Sequence, residues 1–183
     1  MSDLFVSATE PDWSRERLPA VAWAPSLRLI QAIRRYQYWR ARRGPWALLM
    51  RHLNRLRHGF WSIVTGAELP LTGLLGGGLI LPHPNGVVIH PKVMIGVNCM
   101  IFQQVTLGHG GPIPGVPTLG GHVDVGAGAK ILGGVWIGDH ARIGANAVVL
   151  TNVPPYATAV GVPARIISAA GTSVLPKFSP NPV

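Results

Sequence analysis

Cysteine is almost absent from this chain: Cys99 is the single one among 183 residues. It has no intrachain partner, so a disulfide scaffold is excluded and the fold must rest on a core, which a chain of this length can build. Acidic side chains are scarce too, 7 Asp and Glu against 16 Lys and Arg. Residues 69–91 and 93–123 contain no Asp, Glu, Lys or Arg at all. These charge-free stretches are broken by Pro70, Pro82, Pro84, Pro112, Pro114 and Pro117 and by many glycines. No run of about 18 or more apolar residues remains to span a bilayer, so no transmembrane segment is predicted. The opening MSDLFVSATEPDW carries acids where a secretory leader needs a basic region and an apolar run. The expectation is a reducing, cytoplasmic location.

What charge there is lies unevenly. Residues 1–65 hold 11 Lys and Arg against 4 Asp and Glu, whereas residues 66–183 hold 5 against 3. Residues 1–24 are polar, contain proline and show no sustained period, which predicts a loosely attached lead-in. From Ser26 a helix is predicted with Leu29, Ile33, Tyr36 and Arg40 on one face, closed by Gly44 and Pro45. A second helix follows over roughly Pro45–Val64, where Leu49, Leu53, Leu56 and Phe60 repeat those offsets and Pro45 suits the first helical position. The arginines fall mostly off these apolar stripes. They form either a solvated basic face or a contact for an acidic or phosphorylated partner. The predicted organisation is a helical segment at 1–64, a repeat domain at 65–167 and an extended tail at 168–183.

The repeat is found by stepping six residues at a time from Ile89. The positions reached are Ile95, Ile101, Leu107, Ile113, Leu119, Val125, Ile131, Ile137, Ile143 and Val149, all aliphatic. Chance would give eleven such positions in a row on the order of once in a hundred thousand trials. Glycine often follows, and the fourth residue after each is usually small or aliphatic, as at Val93, Cys99, Val105, Val123, Ala129 and Ala141. A period of six suits short parallel strands joined by tight turns, three to a triangular coil, with the aliphatic residue inward. Residues 89–149 therefore account for a little over three coils. Cys99 takes a small-residue slot and is read as core. His122 and His140 lie eighteen apart, either stacked on successive coils or as separate outward turn positions.

This repeat, together with LPHPNGVVIHPKVMIGVNCMIFQQVTLG, GAGAKILGGVWIGDHARIGANAVVL and GVPARII, resembles the hexapeptide-repeat acyltransferases, and specifically the serine acetyltransferase family, over about Thr65–Ile167. The resemblance implies a mainly β fold, a left-handed parallel β-helix preceded by a short helical segment. It also implies a homotrimer or a pair of trimers, acetyl-CoA as donor, and active sites between neighbouring subunits. His83 matches the family's catalytic histidine, a base for the attacking hydroxyl that can return the proton to the departing thiolate. Glu68 stands fifteen residues before it, where the family has the aspartate paired with that histidine, and would orient the imidazole. Gly108, Ala127 and Ala145 match positions where small residues let the pantetheine chain approach the backbone, whose N–H groups are candidate oxyanion donors. Lys130 and Arg165 are the expected partners of the CoA phosphates.

The chain departs from the family at the acceptor. There the catalytic histidine is preceded by aspartate, and a basic-His pair precedes the Pro-Lys that re-enters the repeat; here those positions are Pro82 and Gly115-Val116. Free serine needs partners for its ammonium and carboxylate. The neutral loop HGGPIPGVP looks more like that of serine-acetyltransferase-like enzymes acting on sugars of capsule or exopolysaccharide. The expectation is thus an O-acetyltransferase acting on a sugar hydroxyl, with serine O-acetylation for cysteine biosynthesis as the alternative. His109 and Asn85 are the candidate acceptor contacts. No metal is expected, since the paired histidines four apart that a zinc hydratase of this scaffold uses are absent. A nucleic-acid partner is not expected, while peripheral association with anionic lipid is left open.

Overall fold

The structure is a computed structural model, and residues 6–18 and 23–168 are described. Two helices open the fold, α1 over Pro25–Arg40 and α2 over Pro45–Thr65, each with proline in its first turn. Gly66 ends α2 in the left-handed region at φ 64°. A Cβ there would be strained and would stand 2.8 Å from Asn85 Nδ2.

Very short strands then wind into a triangular parallel β-helix. Glu68 leads one face and pairs with Val88–Ile89, followed by Thr106–Gly108, Lys130–Leu132 and Val148–Val149. A second face stacks Leu74–Leu75, Met94–Ile95, Thr118–Leu119 and Trp136–Ile137, with Val153 bridged to Ile137. The third begins at Ile80 and stacks Met100–Ile101, Asp124–Val125, Arg142–Ile143 and Thr158–Val160; Arg165–Ser168 folds back antiparallel on it. Residues that the step of six marks as aliphatic point inward, Ile113 excepted. Ile101, Leu107, Ile131 and Ile137 are wholly buried, each contributing about 1.5–3 kcal/mol of apolar transfer energy.

The coil is longer than the periodicity shows. It begins at Glu68 because Leu69, Leu75 and Leu81 already follow the step, and all three are buried. Leu81 and Ile89 are eight apart, so two extra residues in the turn between them put the first coil out of phase. Past Val149 the next inward residue, Val153, is only four on. Ile113 corrects the reading in the other direction. It keeps the phase but is 36% exposed in an outward loop. That loop adds six residues to one coil, as Leu107 pairs with Ile131 whereas Leu119 pairs with Ile137. An insertion of one whole repeat length is invisible to a periodicity count.

The first coil has an open end whose carbonyls need donors, and the helices supply them. Leu29, Ile30 and Ile33 of α1 join the core of the coil. Arg34 donates to the carbonyls of Leu75 and Gly76, both at 2.5 Å, and Gln37 Nε2 donates to those of Leu71 and Gly73. His58 of α2 lies 2.8 Å from the Leu69 carbonyl. Arg34 also clasps Glu16 through both carboxylate oxygens, at 2.8 and 3.1 Å, and so is an exception to the solvated basic face.

Nor is the chain before α1 a loose lead-in where it is described. Asn98, fully buried, accepts from the Asp12 N–H and donates to the carbonyls of Ser7 and Glu10, pinning that segment along one corner of the coil. Single polar anchors of this kind have no sequence period. The predicted extended tail at 168–183 lies, past Ser168, outside the described residues.

Cys99 is core, as the repeat slot predicts: it is buried, its Sγ lies 3.2 Å from the Gly120 carbonyl, and burial pushes its thiol up to about 12. The folded protein is therefore expected to ignore an aromatic disulfide reagent at about pH 8 and to release one equivalent of thiol only after denaturation. Rapid labelling of the native protein would contradict this placement.

Candidate active site at a corner of the coil

His83 stands at the corner where the third face turns into the face led by Glu68, in the two-residue-longer turn LPHPNG, and is exposed. Three backbone hydrogen bonds tie that turn to the strand of Glu68. Gly86 N–H donates to the Gly66 carbonyl at 2.8 Å, Glu68 N–H to the Val87 carbonyl at 2.8 Å, and Ile89 N–H to the Glu68 carbonyl at 2.9 Å. The glycine that ends α2 and the strand of Glu68 are thereby stacked directly against the turn of the histidine on the next coil. Both side chains are exposed, and among the described residues no hydrogen bond joins them.

The same corner gathers most of the other candidates in a column. Asn85 sits in the His83 turn, and its carbonyl accepts from Gln104 N–H; below it Gly128 N–H donates to Gln103, and Asn146 N–H to Ala127. Ala127 and Ala145 thus stand on the successive coils beneath Asn85, Ala145 exposed and Ala127 half-buried. Lys130 leans back from the adjoining face to donate to the Gln104 carbonyl at 2.5 Å. Arg165, exposed, lies at the foot of the column opposite Val160. Small residues with cations beside and below them make a surface along which a chain with a phosphorylated end can lie.

Gly108 and His109 belong to the other end of these strands. From Val105 to His109 is about 13 Å at the usual strand rise, so within one copy they do not meet His83. Gly108 is buried, and His109, exposed, lies with its ring centroid 4.4 Å from that of His90 and its Nδ1 3.0 Å from the Gly115 carbonyl. His90 Nδ1 accepts from Lys92 N–H, which leaves its Nε2 protonated when neutral. Pro82 is exposed and Val116 half-buried at the two departures from the family pattern.

Gln103 and Gln104, which no sequence period singles out, continue the His83 column. Gln103 Oε1 is buried without a partner. Their only signal was a polar pair inside a charge-free stretch. His122 and His140 are both turn residues on successive coils whose rings meet edge-on, with Nδ1 atoms 2.8 Å apart and Tyr156 stacked on His140 at 4.6 Å. Burial holds His122 below the ordinary imidazole range against the opposing pull of Asp124. They occupy the third corner, beside the N-terminal segment. Among the described residues no three His, Cys, Asp or Glu side chains converge as a metal site would require.

Residues 117–151 match a family model described as bacterial transferase hexapeptide (six repeats). The chain is 37% identical over 169 residues to the serine acetyltransferase of Mycobacterium tuberculosis, covering 87% of this chain and 71% of the relative. It belongs to the serine acetyltransferase family. A second member, from Synechococcus elongatus, is 45% identical over 130 residues, which is 70% of this chain and 50% of that protein. Serine acetyltransferase in complex with coenzyme A from Brucella abortus superposes with a TM-score of 0.68 at 31% identity, covering 81% of this chain and 58% of that one. The coil is accordingly a left-handed parallel β-helix. The chain spans about half the length of the cyanobacterial family member and somewhat more of the others.

Proposed function

We propose that this chain is an acetyl-CoA-dependent O-acetyltransferase in which His83 is the base and Glu68 its orienting partner. The observation that carries the reading is the set of backbone hydrogen bonds that stacks the His83 turn directly against the Glu68 strand, one coil apart. His83 takes the proton of the acceptor hydroxyl as its oxygen attacks the thioester carbonyl. The tetrahedral species collapses by breaking the C–S bond, and the imidazolium returns the proton to the CoA thiolate, leaving an acetyl ester and free CoA. Backbone N–H groups near Gly108 and the alanine column supply oxyanion donors. The column of Asn85, Ala127 and Ala145 receives the pantetheine arm, with Lys130 and Arg165 toward the phosphates.

A homotrimer is part of this reading, because His83 and His109 occupy opposite ends of the same strands. A threefold assembly sets the first corner of one copy beside the second corner of the next, and His109 then faces an acceptor held at His83. A cytoplasmic location completes it.

L-serine is the acceptor that the names of the relatives support. A second reading, a sugar hydroxyl, rests on Pro82 and Gly115-Val116, which offer no side-chain charge to serine's ammonium and carboxylate. The deciding experiment follows CoA release from acetyl-CoA with a thiol reagent, using L-serine and a panel of mono- and oligosaccharides. The expected result is turnover with L-serine. Turnover with a saccharide alone would move the assignment to the second reading, and none with any hydroxyl acceptor would overturn both.

A further inference from the structure

The apolar stripe of α2 faces away from the protein. The sequence predicts a packed face of Leu49, Leu53, Leu56 and Phe60, yet these are 46%, 40%, 59% and 57% exposed, and Trp46 and Ile63 extend the row at 61% and 84%. The face packed on the body is instead mixed, with Ala47, Asn54 and Thr65 buried, Met50 and His58 half-buried, and Trp61 the one large side chain packed against the core. Asn54 Nδ2 donates back to the Met50 carbonyl, while its Oδ1 is buried without a partner. A protein that buries an asparagine and exposes a row of six large apolar side chains is presenting that row to something.

Charge says what. The six residues follow one another at alternating steps of three and four, a continuous seam along a helix about 30 Å long. Arg57 borders the seam on one side and His52 on the other, with Arg55 set farther back on the His52 flank, all exposed. No Asp or Glu occurs anywhere from 18 to 67, while that stretch holds nine arginines. A second copy of α2 against this seam would set arginine rows together with no carboxylate to answer them. An anionic bilayer answers both features, since its acyl region takes the apolar row and its headgroups take guanidinium groups at the margins. No helix among the described residues is long and apolar enough to cross a membrane. We propose that α2 is a surface-lying membrane anchor, seating its exposed seam in the headgroup region of an anionic phospholipid bilayer. The proposal does not depend on the identity of the acceptor or of the catalytic base.

The test is sedimentation of the full chain with vesicles of phosphatidylcholine containing about 30% phosphatidylglycerol, and with phosphatidylcholine alone, at about 50 and 500 mM salt. Binding is expected on the anionic vesicles at low salt and at least roughly tenfold weaker in either comparison. Arg55→Gln/Arg57→Gln should weaken it roughly 30-fold, at about fivefold per cation. Leu53→Glu/Phe60→Glu should abolish it while the mass in solution and the circular dichroism stay those of the parent. His83→Ala should bind as the parent does. Failure to bind anionic vesicles at low salt, or equal binding to neutral ones, overturns the proposal. So does a fall in oligomer mass in Leu53→Glu/Phe60→Glu, which would show that a second copy covers the seam.

Discussion

His83→Ala is expected to lose acetyl transfer by roughly 100-fold or more while its fold is unchanged, read as initial rates of CoA release beside circular dichroism and solution mass. The imidazole is exposed and makes no hydrogen bond among the described residues, so its removal falls within the small stability changes of surface substitutions, about 0.5 kcal/mol or less. Loss of rate with retention of fold is thus specific to a chemical role. Glu68→Gln keeps the side chain's length and removes its charge. It is expected to lower kcat at least about tenfold with little change in KM, because the role proposed for Glu68 is exerted through His83 rather than on the donor. Glu68→Asp should keep most of the activity, as the shorter acid is the one the family pattern carries here. A His83→Ala enzyme working at the parental rate would remove His83 from the chemistry and leave the corner without a base.

Arg34→Ala is expected to cost about 3–5 kcal/mol, the range for removing one partner of a buried ion pair. The guanidinium serves four acceptor atoms at once: both oxygens of Glu16, which is 7% exposed, and the carbonyls of Leu75 and Gly76 at the open end of the first coil. Its loss leaves a buried carboxylate without its cation and two carbonyls without this donor. A fall in Tm of roughly 10 °C follows for a chain of this size. The pair Glu16→Gln and Arg34→Met tests the cause. If the buried charge dominates, the double variant is more stable than the sum of the two single effects by about 1 kcal/mol or more. Strict additivity would show that the carbonyl contacts, not the ion pair, hold the helices to the coil.

Both substitutions bear on how far the sequence speaks for the structure. The triangular coil is legible because each inward position needs an aliphatic side chain every sixth residue, a demand that repeats locally wherever the strand lies. The helices are legible from Pro45 and from the glycines that bracket α2. The candidacy of His83 and Glu68 rests on the resemblance, since nothing in a lone exposed histidine or glutamate marks it as functional. Arg34, by contrast, is one arginine among many in the sequence and differs from Arg35 only in what lies opposite it.

The sequence by itself determined the repeat, its inward residues, the core position of Cys99 and the two helices, because burial of regularly spaced apolar groups is set by neighbours along the chain. Tertiary structure alone decided which side of α2 faces the body. The end of the coil presents carbonyls, so it takes the helix face that carries His58 and leaves the leucine seam outside. It alone decided that residues 7–12 are pinned by Asn98, that Ile113 leaves the core, and that the His83 turn stacks on the strand of Glu68. Periodicity reports what a residue needs; only the packed chain decides which partner, many residues away, meets the need.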